Sequence, residues 1–207
     1  MPNKITQNLS LIIAGYILCI LDYHQVIYDV YIDLLPDVLG ALLVYQGVNF
    51  FYREEVPHPQ YKTALNVAIL GVVFQGLLAF WDFLGDTSTF LWYFVESIGW
   101  GLVIVGAIVF CRGMELYCYG KGLRESAERM KVLLWLLILF YAPVAIISWS
   151  TLYYYPDYSP YDFNLPKGIS FFYAIWIITL SLTPFWYGIY VVRRLKEEME
   201  KPPHLRY

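Results

Sequence analysis

Residues 89–112 read TFLWYFVESIGWGLVIVGAIVFCR, and this stretch decides the fold. From Thr89 to Phe110 one ionisable side chain, Glu96, interrupts an apolar run that ends at Arg112. The run supplies the roughly 20 residues that a bilayer-spanning helix needs. In hydrocarbon the backbone must satisfy its own polar groups, so such a run folds as a helix. Similar runs recur along the chain, and spans are expected at about 9–32, 34–52, 61–83, 89–110, 130–152 and 168–192. The expected fold is an all-α polytopic transmembrane bundle of six helices in a single integral membrane domain, with 193–207 as a cytoplasmic tail.

Composition supports this class. With 59% hydrophobic and 15% charged residues, a soluble domain of 207 residues could not cover its apolar surface. Twenty Tyr and seven Trp suit the headgroup region, where an apolar ring and a polar tip are both satisfied. Cys19, Cys111 and Cys118 lie in or beside apolar runs without a C-x-x-C pair or a Cys/His ligand spacing, so they read as packing residues. No metal or cofactor is expected. There is no G-x-S-x-G elbow, H-E-x-x-H pair or P-loop, and the chain does not read as an enzyme. The lipid bilayer is the expected partner, with a membrane or cytoplasmic protein beside it, and nucleic acid is not expected.

Charge sets the orientation. With the N-terminus inside, the inner segments are the N-tail, 53–62, 112–131 and the tail after 193, and of all the Lys and Arg only Lys167 falls outside them. The positive-inside rule therefore places both termini in the cytoplasm of a cell membrane. The acids sort as well. Every Asp falls towards the outer side, and every Glu except Glu96 towards the inner side.

The first span is the weakest. Its clean apolar run covers only 9–21 before Asp22, and no small-x-small cleavage site follows that would mark a signal peptide. Because Val26, Ile27, Val30 and Ile32 keep an apolar face going, the helix is expected to continue to Ile32. A broken or re-entrant passage between Asp22 and Asp33 is the alternative.

Ionisable residues within a span are costly and mark functional candidates. Glu96 lies roughly 10 Å below the outer boundary, Asp22 lies roughly 20 Å along the first helix from Asn8, and Gln75 comes to a similar level. A continuous first helix sets Asp22, Asp29 and Asp33 on one face, seven and four residues apart. Asp37 begins the next helix nearby. Together with Glu96 these residues would form an outward-facing acidic cavity for a cation or small ligand. The plainer reading makes the Asp residues a solvated boundary and Glu96 with Gln75 a link between helices. His24 projects away from the Asp stripe, and Gln46, Asn49 and Asn66 read as interhelical hydrogen bonds.

The even-numbered spans share a spacing: Asp37, Gly40, Gly47, Arg53; then Glu96, Gly99, Gly106, Arg112; then Ile178, Ser181, Gly188, Arg194. One reading is three helical hairpins in tandem. The other is ordinary close packing of small residues. The inner segments 112–131 and 193–201 read as solvated helix ends, with docking of a partner or of anionic lipid as the alternative.

The stretch Ile32-Asp33-Leu34-Leu35-Pro36-Asp37-Val38-Leu39-Gly40 resembles the I-D-[IL]-L-P-D-x-[IL]-G segment of uncharacterised small polytopic membrane proteins of Gram-positive bacteria. That resemblance implies a bacterial cytoplasmic membrane and carries no known activity. In size the chain is also similar to the substrate-binding subunits of energy-coupling-factor vitamin transporters, which dock a partner through small residues on the first helix. Here that helix offers Ala14 and Gly15.

Overall fold

The computed structural model describes residues 2–20, 24–27, 30–33, 37–54, 59–83, 90–154 and 167–201. Within these, six helices occur: α1 (Pro2–Ile20), α2 (Asp37–Glu54), α3 (Pro59–Phe83), α4 (Phe90–Gly120), α5 (Arg124–Tyr154) and α6 (Lys167–Glu200). The described residues are all-α apart from one short antiparallel hairpin between α1 and α2, formed by β1 (His24–Ile27) and β2 (Val30–Asp33).

That hairpin corrects the expected continuation of the first helix to residue 32. The helix ends at Ile20, and His24 pairs with Asp33, Gln25 with Ile32, Val26 with Tyr31 and Ile27 with Val30. The physical reason lies in the residues themselves. Val26, Ile27, Val30 and Ile32 are β-branched, and Tyr28 and Tyr31 are aromatic, all types that favour strands. The same apolar residues that extend a helical face on paper are better strand formers.

Among the described residues, two helices are long and apolar enough to cross a membrane, Pro59–Trp81 and Ser97–Gly120; Lys4–Cys19 is apolar but shorter. Helices α4 to α6 outrun their expected spans. α4 continues from 110 to Gly120, α5 starts at Arg124 rather than 130, and α6 passes through the buried Pro184 and runs to Glu200. The 153–163 aromatic stretch, expected on the membrane surface, and Pro36 lie largely or wholly outside the described residues.

Each helix packs on its sequence neighbours, and α6 returns to α1, which closes the order into a ring. The closest approach is between α1 and α2. A Cβ at Gly15 would stand 2.5 Å from the Gly40 carbonyl oxygen and 2.9 Å from the Val44 nitrogen. One at Gly47 would meet the Asn8 carbonyl oxygen at 2.8 Å. Only glycine lets two backbones come this close. The later glycines of the shared spacing also face a neighbouring helix: Gly99 meets Leu78 and Gln75 of α3, Gly106 meets Tyr16 of α1 and Val67 of α3, and Gly188 meets Ile13 of α1 and Leu133 of α5.

Along α1, Ile5, Leu9, Ile12, Tyr16 and Cys19 form one buried face. Spaced three or four residues apart, they recur once per helical turn and line the core. At the end carrying the α4–α5 turn, Phe51 of α2, Tyr61 of α3 and Phe110 of α4 form an aromatic knot, with Phe51 and Phe110 centroids 5.3 Å apart and nearly edge-on. The Tyr61 hydroxyl donates to the Gly113 carbonyl at 3.1 Å, and Gly113 has no side chain to block the ring.

The α1–α2 contact gives a direct test. Gly15→Ala should destabilise the protein by ~1–3 kcal/mol, because the methyl meets backbone rather than a movable side chain. Ala14→Val, at the exposed neighbouring position, should be nearly silent. Denaturation midpoints in one detergent compare the two, and equal midpoints would show that the helices do not approach this closely.

Candidate functional site

The expected acidic cavity is placed only in part. Asp22 and Asp29 lie outside the described residues. Asp33 ends β2 opposite His24 in the strand register, so the shared helical face expected for Asp22, Asp29 and Asp33 does not form. The side chains of Asp33 and Glu96 are likewise outside the described set. Asp37 opens α2 and is half-buried, and its carbonyl oxygen accepts from the Cys19 thiol at 3.5 Å.

Gln75 is buried at 4% exposure, with its amide about one van der Waals contact from Gly99 of α4. Glu96 lies three residues before Gly99, one turn along the same helix. The α3–α4 contact therefore brings Gln75 and the Glu96 backbone to neighbouring levels. Asp37 sits at the very start of its helix, whereas Gln75 is eight residues, about 12 Å, in from Phe83. Among the described residues, no group of His, Cys, Asp and Glu has the arrangement of a metal site.

The best-defined polar site lies at the opposite end, and reading the sequence did not find it. α4 stops at a glycine turn. Gly122 takes φ +71°, the Leu123 N–H bonds to the Cys118 carbonyl at 2.9 Å, and the Gly122 N–H bonds to the Tyr119 carbonyl at 3.1 Å. This is a Schellman cap, which satisfies the last carbonyls of α4, and the accompanying apolar contact is made by Leu123 and Cys118, both buried.

α5 then begins at Arg124, and its first N–H groups have no partner within the helix. Glu198, from the last turn of α6, provides one. Its Oε2 accepts the Ser126 N–H at 2.9 Å and also the Ser126 hydroxyl. Ser126 is fully buried and Glu198 is 2% exposed.

Burying a carboxylate costs several kcal/mol unless it is paired. Here two donors converge on one oxygen at the positive end of a helix dipole, an arrangement that stabilises an anion. The other oxygen, Oε1, is buried and has no partner among the described residues. Val191 and Leu195, seven and three residues before Glu198, are fully buried on the same face. The end of α6 is thus docked on the α4–α5 turn, which corrects the reading of 112–131 and 193–201 as plain solvated helix ends.

Around this cap the charges pair locally. Arg112 bonds to the buried Glu115 at 2.5 Å, Arg129 to Glu125 at 3.1 Å, and Arg194 to Glu197 at 2.7 Å. The bond from Arg194 holds the exposed Glu197 carboxyl below its ordinary range. Cys19, Cys111 and Cys118 are all buried in the core as thiols, outside any disulfide.

One oxygen of the carboxylate, Oε2, is committed to the hydroxyl and backbone N–H of Ser126. These bonds tie the last turn of α6 to the first turn of α5, beside the α4–α5 turn. The sequence signal was present: Val191, Leu195 and Glu198 continue the apolar face of α6 past Arg193 and Arg194, with Glu198 where another apolar residue would be expected.

No family model, curated protein or solved structure matches this chain.

The cap predicts coupling between residues 72 positions apart. Glu198→Ala should cost ~1–3 kcal/mol by leaving a buried N–H unsatisfied. The double variant with Ser126→Ala should cost less than the sum of the two single changes. Amide exchange should quicken at Ser126 and over 193–200. Strict additivity with unchanged exchange would mean that the carboxylate does not hold this end.

Proposed function

We propose that the chain is a six-span membrane protein with both termini on the cytoplasmic side, and that it works as a non-catalytic binding subunit. The observation that supports membrane insertion is the outward face of the ring. Large apolar side chains stand exposed on five successive helices, among them Leu42 of α2, Leu77 and Phe80 of α3, Val105 of α4, Trp135 and Leu139 of α5, and Trp186 and Ile189 of α6. Water would not tolerate so continuous an apolar surface, whereas hydrocarbon would. Exposed cations, including Arg53, Lys62, Arg112, Lys121 and Arg193, mark the end where α4 turns into α5. In the positive-inside frame that end is cytoplasmic. Trp135 lies one turn from Lys131, a position suited to the inner headgroup layer.

The binding role draws its support from how the polar groups are used. The described buried contacts, Ser126 with Glu198 and Tyr61 with Gly113, fasten helices together. Gly15, one of the small residues of the first helix, is taken up by the contact with α2. The resemblance to polytopic proteins of Gram-positive bacteria fits the same membrane setting. An outward acidic site for a cation or small ligand has less support, since Gln75 is turned into the α3–α4 contact.

Two experiments test these claims. Single cysteines at Lys121 and His58 should react with an impermeant maleimide only in inverted vesicles, and cysteines at Asp86 and Asp162 only in intact cells. Any reversal would overturn the topology. A photo-crosslinking amino acid scanned over outward positions of α2, α3, α5 and α6 should yield a protein adduct of one defined mass at some positions. Lipid adducts alone at every position would argue against a subunit role.

A further inference from the structure

The contacts between helices fix which outward residues share a depth. Gly47 of α2 packs on Asn8 and Ile12 of α1, which sets its neighbour Gln46 level with Ser10. Phe51 of α2 packs on Tyr61 of α3 with centroids 5.8 Å apart. As consecutive spans these helices run antiparallel, so Gln46 and Asn66, each five residues from that contact, also come level. Gly106 meets Val67 and Gly188 meets Ile13, which adds the exposed Val105 of α4 and Ile189 of α6 to the same layer.

Around this layer the surface changes character. α4 and α6 turn apolar side chains outward, as lipid-facing helices do, whereas α1, α2 and α3 expose Ser10, Gln46 and Asn66. The Ser10 hydroxyl donates to the Thr6 carbonyl at 2.9 Å. The amides of Gln46 and Asn66 have no hydrogen-bond partner among the described residues. Arg53 and Lys62 lie seven and four residues nearer the cytoplasmic end, roughly 10 and 6 Å along their helices. Short amide side chains do not reach back that far, as the longer cations can. An unpaired amide in hydrocarbon is costly, so this arc calls for a polar cover.

We propose that a second copy of this chain covers the arc, in a dimer whose twofold axis stands along the membrane normal against α2 and α3. Copies inserted in one orientation carry their amides at one depth. A half-turn about that axis therefore brings Gln46 of each copy to Asn66 of the other. A side-chain amide both donates and accepts, so the two pairs satisfy each other. The exposed Leu42 and Leu70, one turn from the amides, close over them. Arg53 and Lys62 also meet their counterparts, but at the aqueous end, where salt screens like charges. This rests on the membrane placement proposed above and names the partner of the binding subunit.

The test co-expresses the full chain under two different affinity tags, with a photo-crosslinking amino acid at Leu42 or, as the apolar control, at Ile189. Leu42 should yield an adduct carrying both tags, and Ile189 lipid adducts alone. In liposomes at a fixed protein-to-lipid ratio, Gln46→Leu combined with Asn66→Leu should weaken dimerisation roughly tenfold, the scale of two interhelical hydrogen-bonded pairs. Asn66→Gln, which still donates and accepts, should retain it. Both side chains face outward, so the leucine pair should keep its helical content and its membrane insertion. A both-tag adduct from Leu42 and Ile189 alike, or dimerisation indifferent to the leucine pair, would overturn the interface. An adduct of Leu42 with a different protein would overturn the second copy and leave the binding-subunit reading standing. Lipid adducts alone at Leu42 would overturn the covered face. Release of the unaltered chain from membranes by alkaline carbonate would overturn the membrane placement and the dimer with it.

Discussion

The distance between the backbones of α1 and α2 governs the rest of the structure. Gly15 against Gly40, and Gly47 against Asn8 and Ile12, bring the two helices closer than any side chain would allow. That approach lets α1 turn Leu9, Ile12 and Tyr16 inward and touch α2, α4 and α6 at once. In a bilayer, lipid tails are as apolar as a leucine, so burial gives helices little reason to associate. Close contact between small residues then carries much of the load. A wider α1–α2 separation would move Tyr16 away from Gly106 and open the ring on its α6 side.

Much of this architecture was legible in the amino-acid order, for a simple reason. Long apolar runs have one cheap solution in a membrane, so the existence of α3 and α4 follows from hydropathy alone. The glycine spacing was legible too, and each of Gly40, Gly47, Gly99, Gly106 and Gly188 indeed meets a neighbouring helix. Such contacts are shared by a tandem repeat and by ordinary close packing, so they do not separate the two readings. What failed to show was anything decided by competition between local preferences. Residues 24–33 carry an apolar pattern compatible with helix and strand alike. The β-branched and aromatic types tip the balance, and the hairpin follows.

The site was less legible than the fold. A carboxylate in an apolar run, such as Glu96, stands out in a sequence, whereas Glu198 sits among Glu197, Met199 and Glu200 and looks like any solvated helix end. Its burial depends on the α4–α5 turn coming within reach, and that turn depends on Gly122 adopting a left-handed conformation. Three distant pieces of chain must converge before the carboxylate acquires a role. The local window shows that Glu198 continues the face of Val191 and Leu195, but not what that face meets. The acidic stripe of Asp22, Asp29 and Asp33 was instead too visible, because its regular spacing presumed a helix that stops at Ile20.

The unequal helix lengths have a mechanical consequence. α1 and α2 contain 19 and 18 residues, whereas α4 and α5 contain 31 each and α6 contains 34. At 1.5 Å per residue the longer three measure roughly 46–51 Å, against ~30 Å of hydrocarbon. In the proposed orientation much of the surplus falls on the cytoplasmic side, where the Schellman turn and Glu198 clamp three helix ends into one pillar. In that orientation the end of α6, up to Glu200, would stand off the membrane surface, braced by the clamp. A load applied there would be delivered as a tilt to the intramembrane part of α6, making the clamp the fulcrum of a lever.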